Sequence, residues 1–399
     1  MPLGLGGQAE DPVRLGALRY LAEAGLLERV VAISSVSGGS IAAAAAGDKW
    51  TKFREAGGDS AAFSDTIDEP FRETVTSRNL RRRWMFASIL GLVPFTGGRG
   101  GAYARTLAHN LYDKRRVADL PAKPDIIFTS TDLSKGRAFR VAPAYVGSYD
   151  YGYIEPTPTS ISLGKAVAAS AAFPPSFTVV NLGTRGLAFP EPPPKTLSLV
   201  DGGVYDNLGL EWFQGWEEDA VRPGSAVKPA FTIVANASGL LADENKRFWP
   251  IPAFSRDLSI QYQQSLNLRV RWNHDKLQAN PGSGVYMAIK SDPRTEQNVD
   301  PVVAAAALPS ELVRPLALLR TDLDRFSREE AGLLSYHAYW TLHARLSTQA
   351  GDLAIDNPAW TEYADLSAAA TERLRRILEL GSHRFFRRLR RRLPHSDEA

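Results

Sequence analysis

Short apolar runs alternate with stretches of helical spacing over the first two thirds of the chain, a pattern of strands feeding helices. Val30-Val31-Ala32-Ile33 reads as a buried strand. It passes through Ser34-Ser35-Val36-Ser37-Gly38-Gly39-Ser40 into Ile41 and the alanines Ala42 to Ala46, a helix of small residues. Ahead of it, a glycine-rich turn at Gly4-Leu5-Gly6-Gly7 leads into helical spacing from Val13 to Leu27, broken near Gly25. Pro124 to Leu133 predicts a strand, and the turn Ser134-Lys135-Gly136 followed by Arg137 to Val141 makes it half of a hairpin. Leu163 to Phe173 predicts a helix of small residues stopped by Pro174 and Pro175. Leu197-Ser198-Leu199-Val200 is a strand running into Asp201-Gly202-Gly203, and Phe231 to Ala237 reads as a last core strand. Helical patterns dominate beyond it, apart from a hairpin-like run from Gly284 to Lys290.

The remaining composition narrows the class without naming a chemistry. With 44% hydrophobic and 23% charged residues over 399 positions, the chain is globular and long enough for a large α/β domain with additions. The absence of cysteine excludes a disulfide scaffold, a thiolate metal site and thiol catalysis. A net charge of +3, with arginine outnumbering lysine about threefold, is no nucleic-acid signature in itself. No run reaches the roughly 18 apolar residues of a membrane-spanning helix, and Met1 to Gly7 lacks the regions of a signal peptide. The expected setting is cytoplasmic, or peripheral at a membrane.

Two stretches carry candidate chemistry. Ser37 occupies the tip of a strand–turn–helix, the setting of a nucleophile elbow, with the small residues Ser35 and Gly39 two positions to either side. The usual pattern has glycine at both flanks, so Ser35 is a departure. Serine is also a favoured helix cap, and on the elbow alone both readings stay open. Asp201 stands at the end of a strand on a turn that only glycines could follow, at the sheet edge where α/β proteins bind ligands; Asp-Gly is also an ordinary turn dipeptide.

Two basic segments suit surfaces. Arg81-Arg82-Arg83-Trp84, with the apolar run Met85 to Phe95, fits an interfacial contact, an active-site cover or a buried helix. The segment from Arg373 through Leu393 is a basic amphipathic helix candidate. Its Leu374, Leu378, Phe385 and Leu389 share one face, suited either to an anionic membrane or to packing on the protein.

A glycine-rich turn before a helix, a strand–Ser–helix elbow and a strand–Asp-Gly-Gly turn, in this order, resemble the patatin-like phospholipases over roughly residues 1 to 240. Ala169-Ser170-Ala171-Ala172-Phe173-Pro174 resembles a further recurrent block of that family. The resemblance implies a three-layer α/β/α fold on a central, mostly parallel sheet, with a largely helical C-terminal extension. It implies lipid acyl hydrolysis by a dyad, Ser37 as nucleophile and Asp201 as base. Gly6 and Gly7 would lend N–H groups to an oxyanion hole, Ser35, Gly38, Gly39, Gly202 and Gly203 would complete the motifs, and neither metal nor cofactor is called for. A dyad fits the histidines: none of His109, His274, His337, His343, His383 and His395 stands in a turn after a strand.

The likeness departs from the pattern at the N-terminus. The first strand is short, Leu5 stands among the glycines, and Ala9 takes the place of the usual arginine, with Glu10, Asp11 and Pro12 close behind. Carboxylates beside an oxyanion site oppose the developing charge. Two explanations stand: a first strand encoded upstream of Met1, or a weakened oxyanion hole in a low-activity relative. The expected organisation is a hydrolase core at 1–240, a mostly helical extension packed on it at 241–372, and a basic helix and tail at 373–399. The expected partner is a phospholipid or related acyl ester, with an anionic membrane surface as a further partner of the C-terminal helix and no nucleic acid. The alternatives are a non-catalytic lipid-binding protein and an esterase for soluble esters.

Overall fold

The computed structural model describes residues 2–6, 11–90, 98–173, 178–214, 222–224, 226, 230–240, 250–319 and 324–382. In chain order the elements are β1 (Pro2–Gly6), α1 (Asp11–Glu23), β2 (Ala32–Val36), α2 (Gly38–Glu55), α3 (Ser60–Phe63), α4 (Glu69–Ser77), α5 (Leu80–Leu90) and α6 (Gly98–Leu111). The middle of the chain forms β3 (Asp125–Asp132), β4 (Arg137–Val141), β5 (Val146–Ser148), β6 (Gly152–Ile154), α7 (Leu163–Ser170), β7 (Val180–Gly183), β8 (Thr196–Asp201), α8 (Gly203–Asp206), α9 (Glu211–Gln214) and β9 (Thr232–Asn236). Then come α10 (Pro250–Ala279), β10 (Gly284–Ala288), α11 (Pro301–Ala306), α12 (Ser310–Ala317), α13 (Arg328–Gln349) and α14 (Ala368–Ser382).

The strands share one sheet, in the order β10-β9-β1-β2-β3-β4-β5-β6, with β8 on β3 and β7 on β8. The expected three-layer α/β/α arrangement on a mostly parallel sheet is corrected here. Among the described strands, β10, β9, β1, β2 and β3 pair in parallel, but β3–β4, β3–β8, β4–β5, β5–β6 and β7–β8 are antiparallel, the larger share of the pairings. The reason is local. The hairpin at Ser134-Lys135-Gly136 reverses the chain into β4. The short strands β5, β6 and β7 follow as a meander and a second hairpin, whose connection holds Pro190 to Pro194. Strands of three or four residues have too few positions to show a period of two. The run Gly284 to Lys290 is corrected too: β10 is a single strand lying parallel to β9, so β9 is not the last strand of the sheet.

The sheet's two faces are covered unequally. Alternate residues Ile33, Ile126, Phe128, Ile233, Ala235, Val285 and Met287 point into one large core built with the helices α1, α2, α4, α6, α7 and α13. On the opposite face, Ala32 and Ile127 meet Trp212 and Phe213, while Val234 meets Leu266 of α10. In α2 the buried Ala42, Ala43 and Ala44 let the helix lie low on the strands, and a Cβ on Gly47 would come within 2.4 Å of the Ile126 side chain. Helix α13 lies on α1 so tightly that a Cβ on Gly16 would stand 1.9 Å from the Ser335 carbonyl oxygen. Tyr20 of α1 and His343 of α13 share a hydrogen bond of 3.0 Å there.

Of the C-terminal basic segment, residues up to Ser382 belong to α14, where Leu374 and Leu378 are buried in the large core. Residues 383–399 lie outside the described residues. Among the described residues, no helix is long and apolar enough to cross a membrane.

Two predictions follow from the α1–α13–β10 packing. Gly16→Val meets backbone, not a flexible side chain, so the helices must separate; the expected cost is about 1–3 kcal/mol, read as a lowered chemical-denaturation midpoint. His337 is buried on α13 with Nε2 2.8 Å from the Ile289 carbonyl, and burial pushes its pKa down to about 4. The unfolded chain therefore takes up a proton below about pH 6.5 that the native state refuses, and His337 costs stability as pH falls from 6.5 toward 4. Against His337→Gln, which cannot titrate, the wild-type advantage should shrink by on the order of 3 kcal/mol across that window. Asp68 and Asp125, both raised to about 6 by burial, gain stability over the same acidification, so the measurement compares the two proteins at each pH and does not follow one alone.

Candidate active site

The candidate nucleophile stands where two strands meet end to end. β2 covers one edge of β3 from Asp125, and its last residue Val36 lies opposite Thr129. β4 occupies the other edge of β3 from Phe128 to Asp132. β8 therefore takes the same edge as β2, entering from the opposite direction, and its last residue Asp201 lies opposite Ser130. The chain ends Val36-Ser37 and Asp201-Gly202 so arrive at neighbouring positions beside one strand.

Ser170, at the end of α7, ties the two ends together. Its carbonyl oxygen accepts from the Ser37 N–H at 3.1 Å and from the Gly202 N–H at 3.1 Å. Its hydroxyl accepts from the Ser37 N–H at 3.2 Å and donates to the Thr129 carbonyl at 2.6 Å. The Asp201 N–H donates to the Ala172 carbonyl two residues further on, at 3.1 Å. Three chain segments far apart in sequence are thus fixed by backbone groups together with the Ser170 hydroxyl.

Ser37 has φ 56° and ψ −131°, a left-handed bend that a non-glycine residue adopts only under constraint. Its side chain makes no capping bond to α2, and the residue is 4% exposed. Ser37 precedes the first turn of an 18-residue helix, whose N-terminal N–H groups and dipole favour negative charge. The departure at Ser35 is absorbed by hydrogen bonding. Its hydroxyl donates to the Ile127 carbonyl at 2.8 Å and accepts from Ser40 at 3.0 Å; Ser40 in turn lies 2.7 Å from the Ser170 hydroxyl. Buried serines thus form a floor beneath the elbow.

Asp201 is fully buried, and its Oδ1 accepts from the Gly203 N–H at 2.7 Å. Thr131 donates to its backbone carbonyl at 2.8 Å. Close approach of backbone requires glycine at 202, and side-chain ends crowd 203. A Cβ on Gly202 would stand 2.1 Å from the Thr129 carbonyl oxygen, and one on Gly203 would stand 2.9 Å from both Asp201 Oδ1 and the Tyr262 hydroxyl. Gly38 and Gly39 are buried in the first turn of α2.

Of the expected oxyanion residues, Gly6 ends β1, opposite Asn236 of β9, while Leu5 lies opposite Ser35 of β2. The end of β1 therefore runs up beside the elbow. Gly7, Ala9 and Glu10 lie outside the described residues. Of the histidines, His337 and His343 sit inside α13 with partners of their own, and His109 and His274 lie on α6 and α10. No described cluster of histidine, aspartate or glutamate could hold a metal ion.

Two residues at the site were not singled out for a role from the sequence. Ser170 lay in a recognised block, but its function as a tie depends on contacts across 133 positions. Tyr262, on α10, packs edge-on against Phe173 at 5.3 Å between ring centres, above the Asp201 turn. Its helix lies in the part of the chain whose sequence named no chemistry.

Comparison with known proteins bears on the same residues. The structure is similar to human GIVD cytosolic phospholipase A2, with 12% identity and a TM-score of 0.49, covering 94% of this chain and 60% of that one. The same human protein in complex with methyl gamma-linolenyl fluorophosphonate gives 14% identity and a TM-score of 0.47, over 95% and 59% of the two chains. VipD from Legionella pneumophila is 13% identical, with a TM-score of 0.32, over 95% and 75%. This chain thus spans about three fifths of the human protein's structure, and no curated protein sequence matches it. The sequence model described as patatin-like phospholipase matches residues 12–212, which hold the elbow, Ser170 and the Asp-Gly-Gly turn, and the chain belongs to that family.

Proposed function

We propose that this protein is a serine acyl hydrolase that cleaves phospholipid or related lipid acyl esters through a dyad of Ser37 and Asp201. The observation that carries the reading is the convergence of the Ser37 bend and the Asp201 turn beside β3, both held by the Ser170 carbonyl. Membership of a phospholipase family supports the lipid ester as substrate.

The chemistry follows from the placement. Ser37 Oγ attacks the ester carbonyl carbon as its proton passes to the Asp201 carboxylate. The carbonyl oxygen becomes an oxyanion, for which the Gly38 N–H at the start of α2 is the proposed donor, joined by the N–H groups of Gly6 and Gly7 that the family resemblance implies. Collapse breaks the bond to the alcohol, which leaves with the proton from Asp201, and the acyl group remains on Ser37. Water then attacks the acyl carbon, gives its proton to Asp201, and the fatty acid departs as Ser37 regains its hydrogen. The buried Gly203 N–H bond holds the carboxyl group in a single orientation throughout.

Hydrolysis of a short-chain chromogenic ester and of a fluorogenic phospholipid tests this directly. Ser37→Ala should bring both to background, and Asp201→Asn should lower kcat by about 10²–10⁴. Methyl gamma-linolenyl fluorophosphonate should add covalently to Ser37 in the wild type and leave Ser37→Ala unmodified by mass. Wild-type and Ser37→Ala rates that coincide would instead leave a lipid-binding protein without catalysis, while cleavage of the soluble ester with no gain on micelles would leave an esterase. Ser170→Ala removes one acceptor from the Ser37 N–H while the carbonyl stays; kcat should fall about tenfold or more with KM unchanged, because the substrate does not touch Ser170.

A further inference from the structure

From Thr74 to Tyr112 the chain carries no aspartate or glutamate, yet it holds Arg78, Arg81, Arg82, Arg83, Arg99 and Arg105. This stretch ends α4 and builds the antiparallel pair α5–α6. Trp84 pins the pair together: its ring lies edge-on to Tyr103 at 6.3 Å, and its Nε1–H donates to the Arg99 carbonyl at 3.3 Å. With Trp84 turned inward, the next two residues face outward. Met85 is 52% exposed and Phe86 60% exposed, the latter with the Arg82 guanidinium 5.6 Å from its ring centre.

Several of these arginines rest on uncharged partners, so their charge is not cancelled by them. Arg78 donates to the Asn110 carbonyl and Arg83 to the Asn110 side chain, while Arg99 lies over the Trp84 ring. Asn79, just before α5, donates to the acidic Asp324.

The position of the pair is as informative as its charge. A Cβ on Gly100 would stand 2.1 Å from the Val179 carbonyl, so the first turn of α6 touches the chain entering β7. Val180 pairs with Leu199, two residues before Asp201. Trp84, bonded to the Arg99 carbonyl, holds α5 against this end of α6. The first turn of α6, with α5 packed on it, thus lies near the rim at which Ser37 and Asp201 converge.

We infer that α5 and the first turn of α6 form the face by which this protein rests on an anionic lipid surface, Phe86 and Met85 entering the headgroup layer and the surrounding arginines meeting its phosphates. An exposed benzyl and thioether side chain among arginines fits a surface with an apolar interior. A nucleic-acid backbone would engage the arginines and leave Met85 and Phe86 in water. The inference rests on the lipid-hydrolase reading for its orientation only, and vesicle binding is read without any hydrolysis.

The test is sedimentation of the full chain, carrying Ser37→Ala so that vesicles stay intact, with vesicles of phosphatidylcholine alone or with about 30% phosphatidylserine. Binding should require the anionic lipid and weaken with salt. Arg82→Glu/Arg83→Glu/Arg99→Glu should reduce the bound fraction at least tenfold, and Phe86→Ser several-fold. With Ser37 restored, both variants should keep the wild-type rate on a soluble short-chain ester within twofold, which also reports that they fold. Equal binding to the two vesicle types, binding unchanged in both variants, loss only on reversal of Arg390, Arg391 and Arg392, or preference for an oligonucleotide over anionic vesicles would each overturn the assignment. Failure of the dyad would show as Ser37-independent hydrolysis and leave the sedimentation result standing.

Discussion

One carbonyl oxygen, that of Ser170, accepts the N–H groups of both Ser37 and Gly202. A buried peptide oxygen has two lone pairs, and leaving either N–H unpaired in this interior would cost about 1–3 kcal/mol. The bond pair therefore fixes distance as well as stability: neither turn can drift without stranding a donor. α7 is held in turn by the bond from the Ser170 hydroxyl to Thr129, on the strand that both turns flank. The elbow, the Asp-Gly-Gly turn and the helix end form a closed loop of constraints around β3.

That loop accounts for the unusual residues near it. Ser37 keeps its left-handed bend because its N–H is held on the far side by Ser170. Gly202 has to be glycine because a backbone carbonyl fills the place of its Cβ, and backbone, unlike a long side chain, has nowhere to go. Serine at position 35 is tolerated for the opposite reason. Its hydroxyl finds an acceptor on β3 and a donor on Ser40, so a polar atom at a fully buried position is satisfied.

The unequal covering of the sheet sets where chemistry can occur. The thick helical layer, closed by α1 against α13, anchors the strands on one side. On the other side, among the described residues, α9 and α10 join small clusters, and α10 brings Tyr262 over the Asp201 turn. The first turn of α6 touches the chain entering β7, whose Val180 pairs with Leu199, two residues before Asp201.

The elbow, the Asp-Gly-Gly turn, the hairpin at Ser134-Lys135-Gly136 and the alanine helix were all legible in the chain, because each is specified by residues within a dozen positions of one another. Glycine where a Cβ has no room, β-branched runs in strands and small residues where a helix lies low leave local marks. The direction of β8 left none. Its sequence fits a parallel or an antiparallel neighbour equally well, and the hairpin from β7 and its seat at the end of β2, added to the antiparallel run β3 to β6, turned the expected mostly parallel sheet into a mixed one. Nor could local pattern show that Ser170 serves two turns, that β10 joins β9, or that Tyr262 stands over the aspartate. The sequence by itself determined which turns this chain could make and which residues could carry chemistry there. Only the tertiary structure decided that two of those turns meet, because strand order and direction are set by hydrogen bonds between segments far apart in the chain, 93 positions from β2 to β3 and about 70 from β3 to β8.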